Sequence, residues 1–198
     1  MKYFIATLLM AAFMVLPAQA QAPQKETPFV RYSPAEGEYS LVLPEAPSAE
    51  TLWGRQGKTL PFIGDPPFFG AVGEKASFQQ TDRNTGDTFD VSVTFIKANK
   101  EFLKTLNQQK MISDLEAGFK GMTLDRREEK FTAGSDTLKW ATLTGFNIST
   151  DNSLTFHAAH YLAGLESISV IKMSFAIENK TYQSYYDKIN KSITYTGS

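Results

Sequence analysis

The segment Phe89-Asp90-Val91-Ser92-Val93-Thr94-Phe95 decides the fold class of this chain. Apolar and polar residues alternate along it without a break, which predicts a β-strand with one buried face. The six residues before it, Asp82-Arg83-Asn84-Thr85-Gly86-Asp87, have the composition of a turn, and a further strand candidate covers residues 76–81. Two strand candidates joined by such a turn predict an antiparallel β-hairpin.

Helical composition follows the hairpin over residues 99–121, with Asn99 as the expected N-cap. The apolar residues of this segment form two groups that lie about 150° apart on a helical wheel. We therefore expect two short helices, or one helix that bends within residues 107–112. A straight helix buried on both sides is the alternative. Ser113-Asp114-Leu115-Glu116 matches a capping box, which would start a new helix at that point.

Four more strand candidates complete the sheet, over residues 122–132, 137–148, 154–162 and 167–177. The first is highly charged, which suits the edge of a sheet because charge discourages pairing with other edges. The last carries apolar residues on both faces, which predicts a central strand covered on both sides.

An amphipathic helix ends the pattern, with Asn179 as its N-cap. Its apolar side consists of Tyr182, Tyr185, Tyr186, Ile189 and Ile193. With the strand expected at residues 39–43, the element order predicts an α+β fold: a mainly antiparallel sheet of about six to seven strands flanked by helices.

The composition describes one domain that could bury a core: 198 residues, 42% of them hydrophobic. The chain has 20 basic and 21 acidic residues, and it lacks the basic surplus of nucleic-acid binders. It has no cysteine, which excludes disulfides, thiolate metal sites and cysteine nucleophiles. We expect no cofactor and no bound metal.

The N-terminus has the composition of a secretory signal peptide over residues 1–20. Lys2 provides the positive charge, residues 3–16 are apolar, and Pro17-Ala18-Gln19-Ala20 fits a cleavage site. We expect a flexible leader over residues 21–31 and a single domain over residues 32–198. No later segment is long and apolar enough to cross a membrane, so a periplasmic or secreted location is expected.

Residues 53–74 contain five glycines and three prolines with almost no periodicity, which predicts a long loop. The loop is rich in aromatic residues, which either cap the core or form an exposed binding patch. The candidate binding residues are Trp53, Phe62, Phe68 and Phe69.

Four segments resemble the PsbP/Mog1-like superfamily, in its small exported bacterial branch. They are residues 32–44 (YSPAEGEYSLVLP), 121–125 (GMTLD), 160–165 (HYLAGL) and 185–189 (YYDKI), and the similarity could cover residues 32–195. The resemblance implies a central antiparallel sheet flanked by helices. It also implies an interaction role, because members include an accessory subunit of photosynthetic water oxidation and a nuclear protein that binds a small GTPase. No binding motif of these members matches this chain position by position, and the segment at 53–74 is longer than their pattern.

Catalytic signals are weak. His157 and His160 are three residues apart in an expected strand, so they should point to opposite faces and make a poor joint metal site. The adjacent carboxylates of Glu128 and Glu129 alternate faces for the same reason. No nucleophile elbow or phosphate-binding loop is found. The sequence therefore predicts a non-catalytic interaction or accessory domain with an unknown protein partner. The alternative is a carrier of a small hydrophobic ligand or lipid, with a pocket under the loop at 53–74.

Overall fold

The computed structural model describes residues 28–34, 37–45, 51–59, 72–119, 122–133, 138–148 and 152–196. The strands are β1 (Phe29–Tyr32), β2 (Tyr39–Pro44), β3 (Thr51–Thr59), β4 (Val72–Thr81), β5 (Thr88–Lys97), β6 (Asp125–Ala133), β7 (Lys139–Ile148), β8 (Leu154–Ala163), β9 (Ser167–Ala176) and β10 (Thr194–Tyr195). The helices are α1 (Lys100–Thr105), α2 (Gln108–Ala117) and α3 (Lys180–Ser192).

Seven strands form the main sheet in the order β3-β4-β5-β9-β8-β7-β6, and every neighbouring pair is antiparallel. The α+β fold and the strand number expected from the sequence are confirmed. The predicted hairpin is β4–β5, in which Thr81 pairs with Thr88 across the turn. The charged strand β6 lies at an edge, and β9 is the central strand, both as predicted.

Apolar residues cover both faces of the main sheet. One face packs against α1 and α2 through Leu103, Met111 and Leu115, which are all buried. The opposite face packs against α3 through Tyr182 and Ile189. The central strand β9 contributes to both cores, because its alternate residues point to opposite faces.

A second sheet of three strands, β1-β2-β10, packs beside α3. The short sequence patterns of β1 and β10 did not predict this sheet. A serine of α3 joins it to the helix, since the Val42 backbone N–H donates to Ser192 Oγ at 2.8 Å. Glu38 joins it to the β8–β9 turn, where its carboxylate accepts from the Leu165 backbone N–H at 2.9 Å and from Ser167 Oγ at 2.6 Å.

The two helices between β5 and β6 confirm the predicted break. Asn99 and Asn107 are the N-caps of α1 and α2, and the Asn107 side chain accepts from the Lys110 backbone N–H at 2.9 Å. The capping box expected at Ser113 does not start a helix, because Ser113 lies in the middle of α2. Asn107 already satisfies the free N–H groups six residues earlier.

Two predicted boundaries need correction. The loop expected over residues 53–74 does not cover that whole range, because residues 51–59 form β3, which pairs with β4 along its whole length. The sequence of β3 contains two glycines and several long polar residues, so it lacks the apolar alternation by which a strand is recognised. The leader expected over residues 21–31 ends earlier, because β1 begins at Phe29 and pairs with β2. In both cases hydrogen bonding of the backbone to a neighbouring strand stabilises a strand that the side-chain pattern does not predict.

Candidate functional site

A cleft of about 430 Å³ lies between α3 and the strands β6, β7 and β8. We call it the α3 cleft. It opens on the α3 side of the main sheet, close to the edge strand β6. A volume of this size is within the range of small-molecule binding sites.

The floor of the cleft is built by the pleat of β7 and β8. Trp140, Thr142 and Thr144 alternate along β7 and line the cleft, whereas Ala141 and Leu143 between them belong to the core under α1 and α2. One strand therefore supplies apolar residues to one face and aromatic and hydroxyl groups to the other. The neighbouring strand β8 adds two more lining residues, Phe156 and His160.

His160 is held in the floor by two residues of β7. The Trp140 indole N–H donates to His160 Nδ1 at 3.3 Å, and Thr142 Oγ1 lies 3.2 Å from the same nitrogen. An indole nitrogen can only donate, so Nδ1 is the acceptor and the neutral ring carries its proton on Nε2. The residue is only 2% exposed, and Nε2 has no hydrogen-bond partner among the described residues.

Burial also fixes the charge state of His160. It lowers the pKa of this ring to about 4, because the charged form would lose its hydration. The ring is therefore neutral at pH 7, and its Nε2–H is a hydrogen-bond donor without a positive charge.

Aromatic rings form the wall of the cleft. Phe156 contacts Phe146 and Tyr186, with ring centroids 5.3 and 5.0 Å apart. Tyr186 comes from α3, which also supplies the amide of Asn190. Burial raises the pKa of the Tyr186 phenol, and the nearby carboxylates of Asp187 and Glu128 raise it further. The phenol is therefore protonated at neutral pH and can donate a hydrogen bond.

The rim of the cleft is charged and comes from β6. Arg126, Glu128 and Lys130 line it, so it carries two positive charges and one negative charge. The pairing of β6 with β7 shifts between Asp125 and Glu128, and Arg126 has a positive φ of 48°. Such an irregularity re-aims side chains at a sheet edge.

The other histidine lies on the opposite face of the sheet. The ring of His157 contacts that of Phe119 after α2, with centroids 5.9 Å apart, and burial lowers its pKa. The prediction that His157 and His160 point to opposite faces is confirmed. Among the described residues, no group of three histidine or carboxylate side chains could hold a metal ion.

A smaller cavity of about 150 Å³ is lined by Lys100, Lys104 and Lys139. The ammonium of Lys139 donates to the backbone carbonyl of Leu103 at 3.0 Å and also to that of Leu106. This lysine caps the carbonyl end of α1, and its positive charge interacts favourably with the negative end of the helix dipole. Lys139 in this cavity therefore has a structural role in the α1–α2 connection, and we do not treat the cavity as a binding site.

The binding patch expected from the sequence lies elsewhere. Trp53 is in the edge strand β3, opposite Phe78 of β4, and thus at the other edge of the main sheet from the α3 cleft. Phe62, Phe68 and Phe69 lie outside the described residues. Trp140 and Tyr186 were not among the binding residues predicted from the sequence. A signal for the cleft was present in β7, where Trp140, Thr142 and Thr144 occupy one face and the apolar residues occupy the other.

No helix in the described part of the chain has the length and apolar character needed to span a membrane.

No family model matches this chain, and no curated protein is similar to it. Among solved structures, the solution structure of cyanobacterial PsbP (CyanoP) from Synechocystis sp. PCC 6803 is similar. The similarity covers 90% of this chain and 99% of the cyanobacterial chain, with 14% identity and a TM-score of 0.45. Because this score is below 0.5, the fold assignment rests on the strand order and register given above. Membership of the small exported bacterial branch stays a prediction.

Proposed function

We propose that this protein is an exported, non-catalytic binding domain that holds a small ligand in the α3 cleft. The observation that carries the proposal is the cleft itself: about 430 Å³, with aromatic walls and a buried histidine in its floor. Binding sites for small molecules are usually concave, largely apolar and equipped with a few converging polar groups. Thr144, Tyr186 and Asn190 supply such groups here.

The charge state of His160 supports binding rather than acid–base catalysis. A general base works best when its pKa lies near the operating pH. A pKa of about 4 makes His160 a weak base at neutral pH. Its Nδ1 already accepts the indole N–H of Trp140, which leaves only a donor on this ring.

The described surface supports a small ligand better than a large protein partner. Its exposed large apolar residues, Val30, Ile148, Leu154 and Leu165, come from several different strands and turns. Only Ile148 and Leu154 are cross-strand neighbours, at the end of the β7–β8 pair. Protein interfaces usually have a larger continuous core.

Native mass spectrometry of the protein isolated from its own host tests the proposal. We expect a bound small molecule at one copy per chain. The variant Thr144→Trp, which fills the cleft, should lose that molecule. Thr88→Trp, at an exposed position on β5, should retain it. A wild-type protein that is free of ligand, or a Thr144→Trp variant that keeps the ligand, would contradict the proposal.

The protein-partner interpretation has its own test in the loop residues. Phe68→Ser together with Phe69→Ser should abolish capture of a partner and leave the melting temperature nearly unchanged if these rings form a contact patch. A large loss of thermal stability would instead assign them to the core. If the α3 cleft is the binding site, this double variant keeps its small ligand.

Export is tested at the N-terminus. Cleavage after Ala20 predicts a mature chain that begins at Gln21. N-terminal sequencing of the protein from the periplasmic or culture fraction should find this residue. A chain that retains Met1 in the cytoplasm would contradict the proposed location.

A further inference from the structure

We propose that the ligand of the α3 cleft is a small aromatic carboxylic acid. Its ring would lie among Phe146, Phe156 and Tyr186, and its carboxylate at the rim formed by β6. This inference rests on the proposed function of the cleft and adds the chemical class of the occupant.

The wall of the cleft favours a flat ring. The rings of Phe146 and Phe156 are 5.3 Å apart and inclined by 59°, and those of Phe156 and Tyr186 are 5.0 Å apart and inclined by 72°. Aromatic pairs prefer tilted and edge-to-face arrangements, so a flat ring in the cleft could extend this cluster with the same geometry. An aliphatic chain could fill the same volume but would not use this directional preference.

The rim favours a negative charge. Arg126 and Lys130 lie on either side of Glu128 along β6, so the lining of the cleft has one net positive charge. His160 is neutral and adds no charge to the cleft. An arginine can hold a carboxylate with two parallel hydrogen bonds, and a lysine adds a second cation.

The same rim discriminates against cations. Aromatic rings alone could attract an ammonium group through their faces. A cationic ligand would here meet Arg126 and Lys130. It would be attracted by Glu128 and by Asp187, whose carboxylate lies near Tyr186. The two cations of the rim, rather than the rings, therefore favour an anionic group on the ligand.

Three probes of the same size and shape separate the contributions of ring and charge: phenylacetate, phenylacetamide and phenethylamine. The protein has two tryptophans, so Trp53→Phe leaves Trp140 as the only reporter of fluorescence in the cleft. We expect phenylacetate to bind about tenfold more tightly than the neutral amide, and the amine to bind most weakly. Added salt should weaken only the binding of phenylacetate appreciably.

Two double variants test whether the preference for phenylacetate depends on the cations of the rim. Arg126→Gln with Lys130→Gln should reduce phenylacetate affinity to that of the amide and leave the amide unchanged. Lys100→Gln with Lys104→Gln removes the same net charge on the other side of the sheet and should have little effect. Circular dichroism of both double variants should show the fold of the parent.

Each result decides the inference. Equal or tighter binding of the amide or the amine overturns the assignment of a carboxylate, whereas a host ligand seen by native mass spectrometry would still support the cleft as a binding site. Absence of binding by all three probes overturns the aromatic acid. If native mass spectrometry also finds no ligand, the proposed function fails as well.

Discussion

His160 is a neutral imidazole inside the fold and an ordinary histidine in the unfolded chain. Its folded pKa of about 4 lies below the usual value of 6.5. Between these two values the unfolded chain binds a proton that the folded protein does not bind. Acidification in this window therefore favours unfolding, and this destabilising contribution of His160 is absent above about pH 6.5, where the ring is neutral in both states.

The free energy of unfolding should show this contribution directly. We expect His160 to account for a loss of about 2 kcal/mol when the pH is lowered from 7 to 5. Urea unfolding of the wild type and of His160→Gln at both pH values isolates the effect, because the other titrating groups are common to both proteins. The lowered pKa of His157 acts in the same direction and remains in the variant. An identical pH dependence in both proteins would show that His160 is not held neutral.

Glu38 fixes the three-stranded sheet to the β8–β9 turn. Its carboxylate accepts hydrogen bonds from the backbone of Leu165 and Glu166, and from the hydroxyls of Ser167 and Tyr195. Gly164 sits against this carboxylate, and a Cβ there would displace it. The sequence segments 32–44 and 160–165 thus meet at one carboxylate.

Replacement of this carboxylate should be costly. Glu38→Ala should lower the free energy of unfolding by about 2 kcal/mol, because several donors lose a charged acceptor. The exposed Glu45, which directly follows β2, provides the control, since Glu45→Ala should change stability by less than about 0.5 kcal/mol. Chemical denaturation measures both. Similar values for the two variants would show that Glu38 does not fix the turn.

At the scale of the element, the break between α1 and α2 depends on one cap. Asn107→Ala should destabilise the protein by about 1 kcal/mol, because the Lys110 backbone N–H loses its acceptor. Ser113→Ala, at an exposed position inside α2, should be neutral or slightly stabilising because alanine is the better helix former. Thermal unfolding of both variants checks this. A larger loss of stability for Ser113→Ala than for Asn107→Ala would instead support a helix N-cap at Ser113.

Strands and helices with a clear pattern of apolar residues could be predicted from the sequence. Strands that form mainly because they pair with a neighbouring strand could not. The alternation in β5 and the apolar residues on both faces of β9 identified strands and even the central position of β9. In β3 and β1 the side chains give little indication, and pairing with β4 and β2 makes them strands. Strand formation of this kind is a property of the partner as well as of the segment.

At the scale of the whole molecule, Phe89 is the centre of the core under α3. It is fully buried, and its ring lies 5.5 to 6.3 Å from the rings of Phe78, Phe175, Tyr182 and Tyr185. Phe89→Ala should lower the free energy of unfolding by about 3–5 kcal/mol, because the cavity involves three strands and the helix. Leu154→Ala, at a partly exposed position, is the control. A loss below about 1 kcal/mol for Phe89→Ala would contradict this packing.

The α3 cleft could not be derived from the sequence because it exists only in the assembled molecule. Its charged rim, its floor and Tyr186 come from β6, β7, β8 and α3, and the sequence alone did not show that α3 lies over these strands. The sequence did predict that His157 and His160 lie on opposite faces of β8. It could not predict that Trp140 would take the Nδ1 lone pair of this ring, since that depends on the register of β7 against β8.

The pairing of β2 with β10 sets the order of events during synthesis. The Tyr195 hydroxyl contacts Glu38 across 157 residues of sequence, so β2 leaves the ribosome long before its partner β10. At about 5–20 residues per second, synthesis of these 157 residues takes on the order of ten seconds. Throughout that time β2 lacks both β10 and the helix that covers it. The three-stranded sheet therefore cannot be complete before β10 is synthesised, so it is among the last parts of the fold to form.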